Sequence, residues 1–153
     1  MKYVTDKDLG LQRFIAQLQV AKRVEVVIGL QEGDTNGGQS IAEYGAYNEY
    51  GTSDIPERSF MRTSFDENSR RISHDIATQY DLVKQGKKTV YAALGMVGLR
   101  HEADIKTKIG SNIQPANDPQ TIARKGSSRT LIDTGAMLAA VRYIIRMPRG
   151  RGK

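Results

Sequence analysis

The sequence predicts an α+β fold: a small, mostly antiparallel sheet packed against two long helices, with extended loops or arms between them. Three observations predict it. Two short β-branched runs, Val24 to Leu30 (VEVVIGL) and Val141 to Met147 (VRYIIRM), stand far apart in the chain. Between them, two long stretches carry apolar residues at three- and four-residue steps. Turn-forming residues fill the remaining segments. A length of 153 residues suits one domain with a modest core. The expected organisation is a single α+β domain over residues 1–147, followed by a basic tail, 148–153.

The elements follow in order. Asp8 to Arg23 places Leu11, Phe14, Ile15, Leu18 and Ala21 at helical spacing, and Lys22-Arg23 complements the negative end of the helix dipole. Val24 to Leu30 is the first strand. Gln31 to Gln39 (QEGDTNGGQ) reads as a polar, glycine-rich loop. Ser40 to Tyr50 is a short helix with Ser40 as its cap and Gly51 as its stop. Asp54 and Glu57 have capping-box spacing, with Pro56 in the first turn and Ser59 as a competing cap. Phe60 to Lys84 is a long helix with Phe65, Ile72, Ile76, Tyr80 and Val83 as its expected buried face. After Gly86, Lys87 to Ile109 is a second long helix, with Val90, Leu94, Val97, His101, Ile105 and Ile109 in one stripe. Glu102–Lys106 and Asp104–Lys108 have the orientation of stabilising i,i+4 pairs, and Gly110 ends the helix. Gly95 and Gly98 inside it each cost about 1 kcal/mol against alanine. Such a cost points to the close approach of another backbone, either within the fold or from a neighbouring subunit. Ser111 to Ser128 reads as a long loop or arm. Asp133 is the expected cap of a helical turn through Met137-Leu138-Ala139, and Val141 to Met147 is the last strand.

Composition narrows the function classes. The absence of cysteine rules out disulfides and thiolate metal sites and fits a reducing cytoplasm. No apolar core of a signal peptide stands at residues 1–7, and no run is long enough to span a bilayer, so a soluble chain without membrane contact is expected. The charge of +6 is uneven: from Gln120 onward eight Lys/Arg face one acid, Asp133. A near-neutral body with a basic end suits a polyanion or an acidic neighbour, and equally a solvated tail that aids solubility. Arg146, Arg149, Arg151 and Lys153 are the candidate contacts for DNA or a protein partner.

Catalytic readings fare poorly. Asp133-Thr134-Gly135-Ala136 matches the signature of retroviral-type aspartic proteases, but MLAAVRYIIRM after it reads as a helical turn and one strand, not as barrel walls. Gly33-Asp34-Thr35-Asn36-Gly37-Gly38 lies between a strand and a helix, yet lacks phosphate-loop spacing and its lysine. His74 and His101 fall on different helices, and His101 sits on an apolar stripe as a structural histidine. Catalytic, metal and cofactor residues are therefore expected to be none, with no small-molecule ligand. Tyr44, Tyr47 and Tyr50 lie along one drifting helix face, as core or as an aromatic contact patch.

Two segments carry a resemblance. Asn48-Glu49-Tyr50-Gly51-Thr52 with Ile55-Pro56-Glu57-Arg58-Ser59-Phe60-Met61-Arg62 resembles the "N-E-[FY]-G-T … I-P-x-R-P-F-[LM]-R" segment of tailed-bacteriophage neck, tail-completion and virion-morphogenesis proteins. Leu131-Ile132-Asp133-Thr134-Gly135-Ala136-Met137-Leu138, then Ala140-Val141-Arg142-Tyr143, resembles that family's "L-x-D-T-G-x-L … S/A-[VI]-x-[YF]" ending. Both occur in order, with two long helices between, so the resemblance spans about residues 24 to 147. Ser59 replaces the family's proline, which removes a rigid turn at the helix entry.

The resemblance implies a non-enzymatic structural protein of the virion, assembled in the host cytoplasm and placed at the neck/tail junction. It implies self-association into a ring, commonly a hexamer. Such a ring would meet neck or connector proteins on one side and tail terminator or tail tube proteins on the other, with transient contact to phage DNA in the lumen. Glu49, Gly51, Pro56, Arg58, Phe60, Asp133 and Gly135 are the residues expected to set the architecture, with Arg58 paired to a carboxylate, Glu49 being the candidate. The 31–39 loop, the 111–128 arm and the basic tail are the segments expected to reach neighbours. The competing expectation is a nonspecific nucleic-acid-binding module acting through the basic C-terminal region.

Overall fold

A computed structural model describes residues 10–148. The first helix, α1 (Leu11–Ala21), leads into strand β1 (Glu25–Leu30), and a two-residue-per-strand hairpin, β2 (Thr35–Asn36) and β3 (Gln39–Ser40), follows. Helices α2 (Ile41–Tyr50), α3 (Met61–Lys84), α4 (Val90–Gly110), α5 (Pro119–Lys125) and α6 (Ala136–Ala140) precede the last strand, β4 (Val141–Arg146). β1 and β4 pair antiparallel from Glu25↔Arg146 to Leu30↔Val141, as the two β-branched runs predict. The fold class is thus α+β, with a small antiparallel sheet. The small hairpin forms its own sheet and adds no strand to the first.

α4 is the central element: β1, β4 and α3 all pack on it. Strand alternation directs Val141, Tyr143 and Ile145 with their partners Leu30, Ile28 and Val26 to the α4 side. On the other face, Glu25 and Arg146 are cross-strand neighbours and form an ion pair at 3.0 Å. The main core gathers Ile41, Phe60, Ile105, Ile109, Leu131, Met137, Ala140 and Val141. A smaller cluster of Val83, Val90 and Ala93 receives Val20 and Val24 at the other end of the long helices.

Several expectations are corrected. Gly98 accommodates the ring of Tyr143, not a backbone: a Cβ there would lie 2.6 Å from the ring carbons, whereas at Gly95 the nearest atom is the Tyr143 hydroxyl at 3.6 Å. Asp104 and Lys108 do not pair with each other. They cross to α3, Asp104 to Arg71 and Lys108 to Glu67. The expected apolar face of α3 is only partly buried. Ile72 and Val83 are inside, but Phe65, Ile76 and Tyr80 are about half exposed, and Ser64, Asp75 and Gln79 are buried instead. On this rotated contact face Asp75 binds Arg71 and Arg100 and Gln79 accepts from Lys88, while the buried Ser64 hydroxyl has no hydrogen-bond partner among the described residues. α1 likewise docks through Phe14, whose ring meets Tyr80 edge-on, Gln17, which accepts the Val90 N–H, and Val20. Its predicted stripe residues Leu11, Ile15 and Leu18 remain exposed.

The 111–128 segment is folded rather than an open arm. Asp118 caps α5 by accepting from the Thr121 N–H, Pro119 occupies the first turn, and Gly126 at φ 67° ends it. The 31–39 loop is likewise tied down. Asn36 donates to the Thr134 hydroxyl, and Asp34 pairs with Arg142 at 2.6 Å.

Candidate functional site

The site is built around the entry to α3. Phe60, the residue before this helix, is fully buried in the main core. A helix that starts inside the protein needs acceptors for its first N–H groups. Neither Asp54 nor Ser59 supplies one, and Phe60 at the cap position has no side chain to do so. Glu49, carried from the preceding helix, does. Its carboxylate accepts from the N–H groups of Phe60 (2.8 Å), Met61 (2.8 Å) and Arg62 (2.9 Å), and from the Ser59 hydroxyl (2.9 Å). Glu49 is 2 % exposed. A buried carboxylate is tolerated because four donors and the positive end of a long helix replace its water.

Arg58 has a different partner from the expected one. Its guanidinium donates to the carbonyls of Pro115 (2.7 Å) and Ala116 (3.2 Å), so it clamps the 111–118 segment and leaves Glu49 to the helix. Burial lowers the pKa of Arg58 from its ordinary value. Its backbone N–H in turn donates to the Asn48 carbonyl (2.7 Å), and the Asn48 amide donates to the Tyr44 carbonyl (2.9 Å). Gly51 makes the reversal from α2 possible. Its φ is 74°, and a Cβ there would lie 3.0 Å from the Glu57 nitrogen. Thr52 closes the turn, its hydroxyl accepting from the N–H groups of Asp54 and Ile55.

The second motif segment arrives beside the first. Leu131 and Met137 are buried in the main core, and Gly135 adopts φ 81° as the residue before α6. Asp133 does not cap α6. Thr134 accepts the Ala136 N–H (3.3 Å) and leaves the Asp133 carboxylate at the surface.

Between the two segments runs an open cleft of about 540 Å³. Tyr44, Ile55, Pro56, Leu131 and Met137 provide its apolar lining, with Asp54, Arg124 and Asp133 among the polar groups. The structure therefore brings Pro56 and Arg58 together with Asp133 and Gly135 on one wall system, with Glu49, Gly51 and Phe60 holding that wall from behind. Arg146 lies apart, in its pair with Glu25. Arg149, Arg151 and Lys153 lie outside the described residues.

Sequence reasoning missed Asn48, Thr134 and Asp118 as organising residues. Asp118-Pro119 followed by Gly126 is a complete helix start and stop signal and makes α5 legible. Asn48 and Thr134 are marked only as fixed positions of the two resembling segments, and no local signal assigns them these hydrogen bonds.

Tyr44 packs against the main core, Tyr47 is half-buried, and Tyr50 is 71 % exposed, so the tyrosine row divides between core and surface. His101 packs against the Phe65 ring at 5.9 Å, and its Nε2 is buried without a hydrogen-bond partner. Among the described residues no group of three or more His, Asp or Glu is placed to hold a metal ion, and no helix is long and apolar enough to cross a membrane. A scan against protein-family models, a search of curated proteins and a search of solved structures each gave no match.

Proposed function

We propose that this chain is a structural protein of a tailed-phage virion: a ring-forming subunit, commonly a hexamer in the family it resembles, that completes the head-proximal end of the tail and joins it to the neck. The observation that carries this reading is the meeting of the two resembling segments. They are separated by two long helices in sequence, yet they line one cleft, and their most distinctive residues organise that region. Glu49, Arg58 and Phe60 serve as internal braces, each committed to backbone atoms or core. Such a region offers a shaped surface, and a single heterologous surface repeated around a closed rotation makes a ring. Neck or connector proteins, tail terminator or tail tube proteins, and passing DNA are the neighbours this reading assigns, and the ring is assembled in the host cytoplasm. The reading includes no enzymatic activity.

The experiment is mass spectrometry and particle imaging of virions from the phage that encodes the chain, with and without its gene. The protein is expected in mature particles, and loss of the gene is expected to leave heads and tails unjoined. Its absence from particles, or normal joining without it, overturns the reading.

A further inference from the structure

We infer that the cleft is a docking groove for the basic segment 149–153 of a second copy of this chain. This deepens the ring reading above and rests on it. The cleft is lined by apolar residues and by two carboxylates, Asp54 and Asp133, neither of which has a side-chain partner among the described residues. The cations lining the same cleft are Arg58, whose guanidinium is committed to the Pro115 and Ala116 carbonyls, and Arg124 on α5. Asp118 adds a third acid, so the lining is net acidic.

The occupant follows from the chain itself. Of the three segments expected to reach neighbours, the 31–39 hairpin and the 111–128 segment are folded back, and both contribute walls to the cleft. The segment left is Arg149-Gly150-Arg151-Gly152-Lys153. Its sequence offers three cations separated by glycines, the charge that a cleft carrying carboxylates would take. The tail leaves from the wrong end of β4 to fill its own groove. The groove wall at Gly135–Met137 precedes Val141, and β4 then runs roughly 17 Å away before Arg146. Arg149, three residues past Arg146, reaches at most about 10 Å, less than the length of the strand, so it cannot return to its own groove, and only a second copy's groove can take all three cations together.

The absence of cysteine makes a cross-linking test direct. Full-length Gln39→Cys, at the groove rim, is mixed with full-length Gly152→Cys and oxidised, with Ser73→Cys on the exposed face of α3 as the control site. A mixed disulfide dimer is expected well above the Ser73→Cys control. Asp54→Lys with Asp133→Lys on the groove chain should cut its yield about tenfold, and Arg149→Glu with Arg151→Glu on the tail chain should restore most of it. If the lysine variants do not fold, Asp54→Asn with Asp133→Asn should still lower the yield. Equal cross-linking at the groove and control sites overturns the inference. So does duplex DNA retention that depends on the three tail cations while the mixed dimer never forms. Protein present in particles without this cross-link sinks the groove and leaves the virion reading standing. Efficient cross-linking of a protein missing from particles does the reverse.

Discussion

At the scale of single residues, one carboxylate does the work that a helix cap normally does locally. Glu49 sits before the turn, yet it satisfies the first N–H groups of α3 on the other side of it. Glu49→Ala would leave these donors without an acceptor in a largely buried place, at a cost of about 3–5 kcal/mol. Glu49→Gln retains one acceptor oxygen but turns an NH2 toward two of the four donors and forfeits the charge at a helix N-terminus, at a cost of about 2–3 kcal/mol. Urea denaturation of the two variants is expected to rank them in that order, and an Ala variant as stable as the parent would refute this role. Local spacing marks Asp54, Glu57 and Ser59 as caps, and each is plausible from its neighbours alone. The winner was illegible because it depends on how the chain turns at Gly51.

At the scale of elements, α4 pays for two internal glycines very differently. Gly98 lies under the Tyr143 ring with no room for a methyl group, so Gly98→Ala is expected to destabilise by about 1–3 kcal/mol through overpacking. Gly95 has ordinary contact distance to the same residue's hydroxyl, so Gly95→Ala is expected to stabilise by up to about 1 kcal/mol through helix propensity. Thermal unfolding of the pair checks both signs, and a stabilised Gly98→Ala would remove the packing explanation. The cost of these glycines is readable in sequence, while the identity of what approaches them is not. The helices themselves were legible for the same reason. Periodicity locates α3 and α4 almost to their ends, but it assigns Phe65, Ile76 and Tyr80 to the core. Packing instead turns inward a face whose Asp75 is neutralised by Arg71 and Arg100 and whose Gln79 accepts a hydrogen bond from Lys88.

At the scale of the whole molecule, stability is expected to depend on pH through His101, which packs on Phe65 at the α3–α4 boundary. Burial lowers its pKa below the ordinary 6.5; nearby Asp104 opposes this and Arg71 reinforces it. The unfolded chain therefore takes up the proton first as pH falls. The linked stability is intact above about pH 6.5 and is lost progressively as pH drops through that value to the folded-state pKa. Urea midpoints at about pH 7.5 and pH 5.5 should fall further for the parent than for His101→Gln, and equal falls would exclude the residue as a contributor.

The order of residues alone determined the α+β class, the first and last strands with their antiparallel return, and the long helices, because periodicity and turn chemistry are local properties; the two segments beside the cleft were marked by their resemblance to a family. Only the tertiary structure decided that Glu49 caps α3, that Arg58 holds the 111–118 segment, that Thr134 replaces Asp133 at α6, and that the two segments face one another. Each of those outcomes is a choice among several chemically suitable partners. Long-range closure of the chain selects one of them by bringing it within hydrogen-bond distance, which no local pattern encodes.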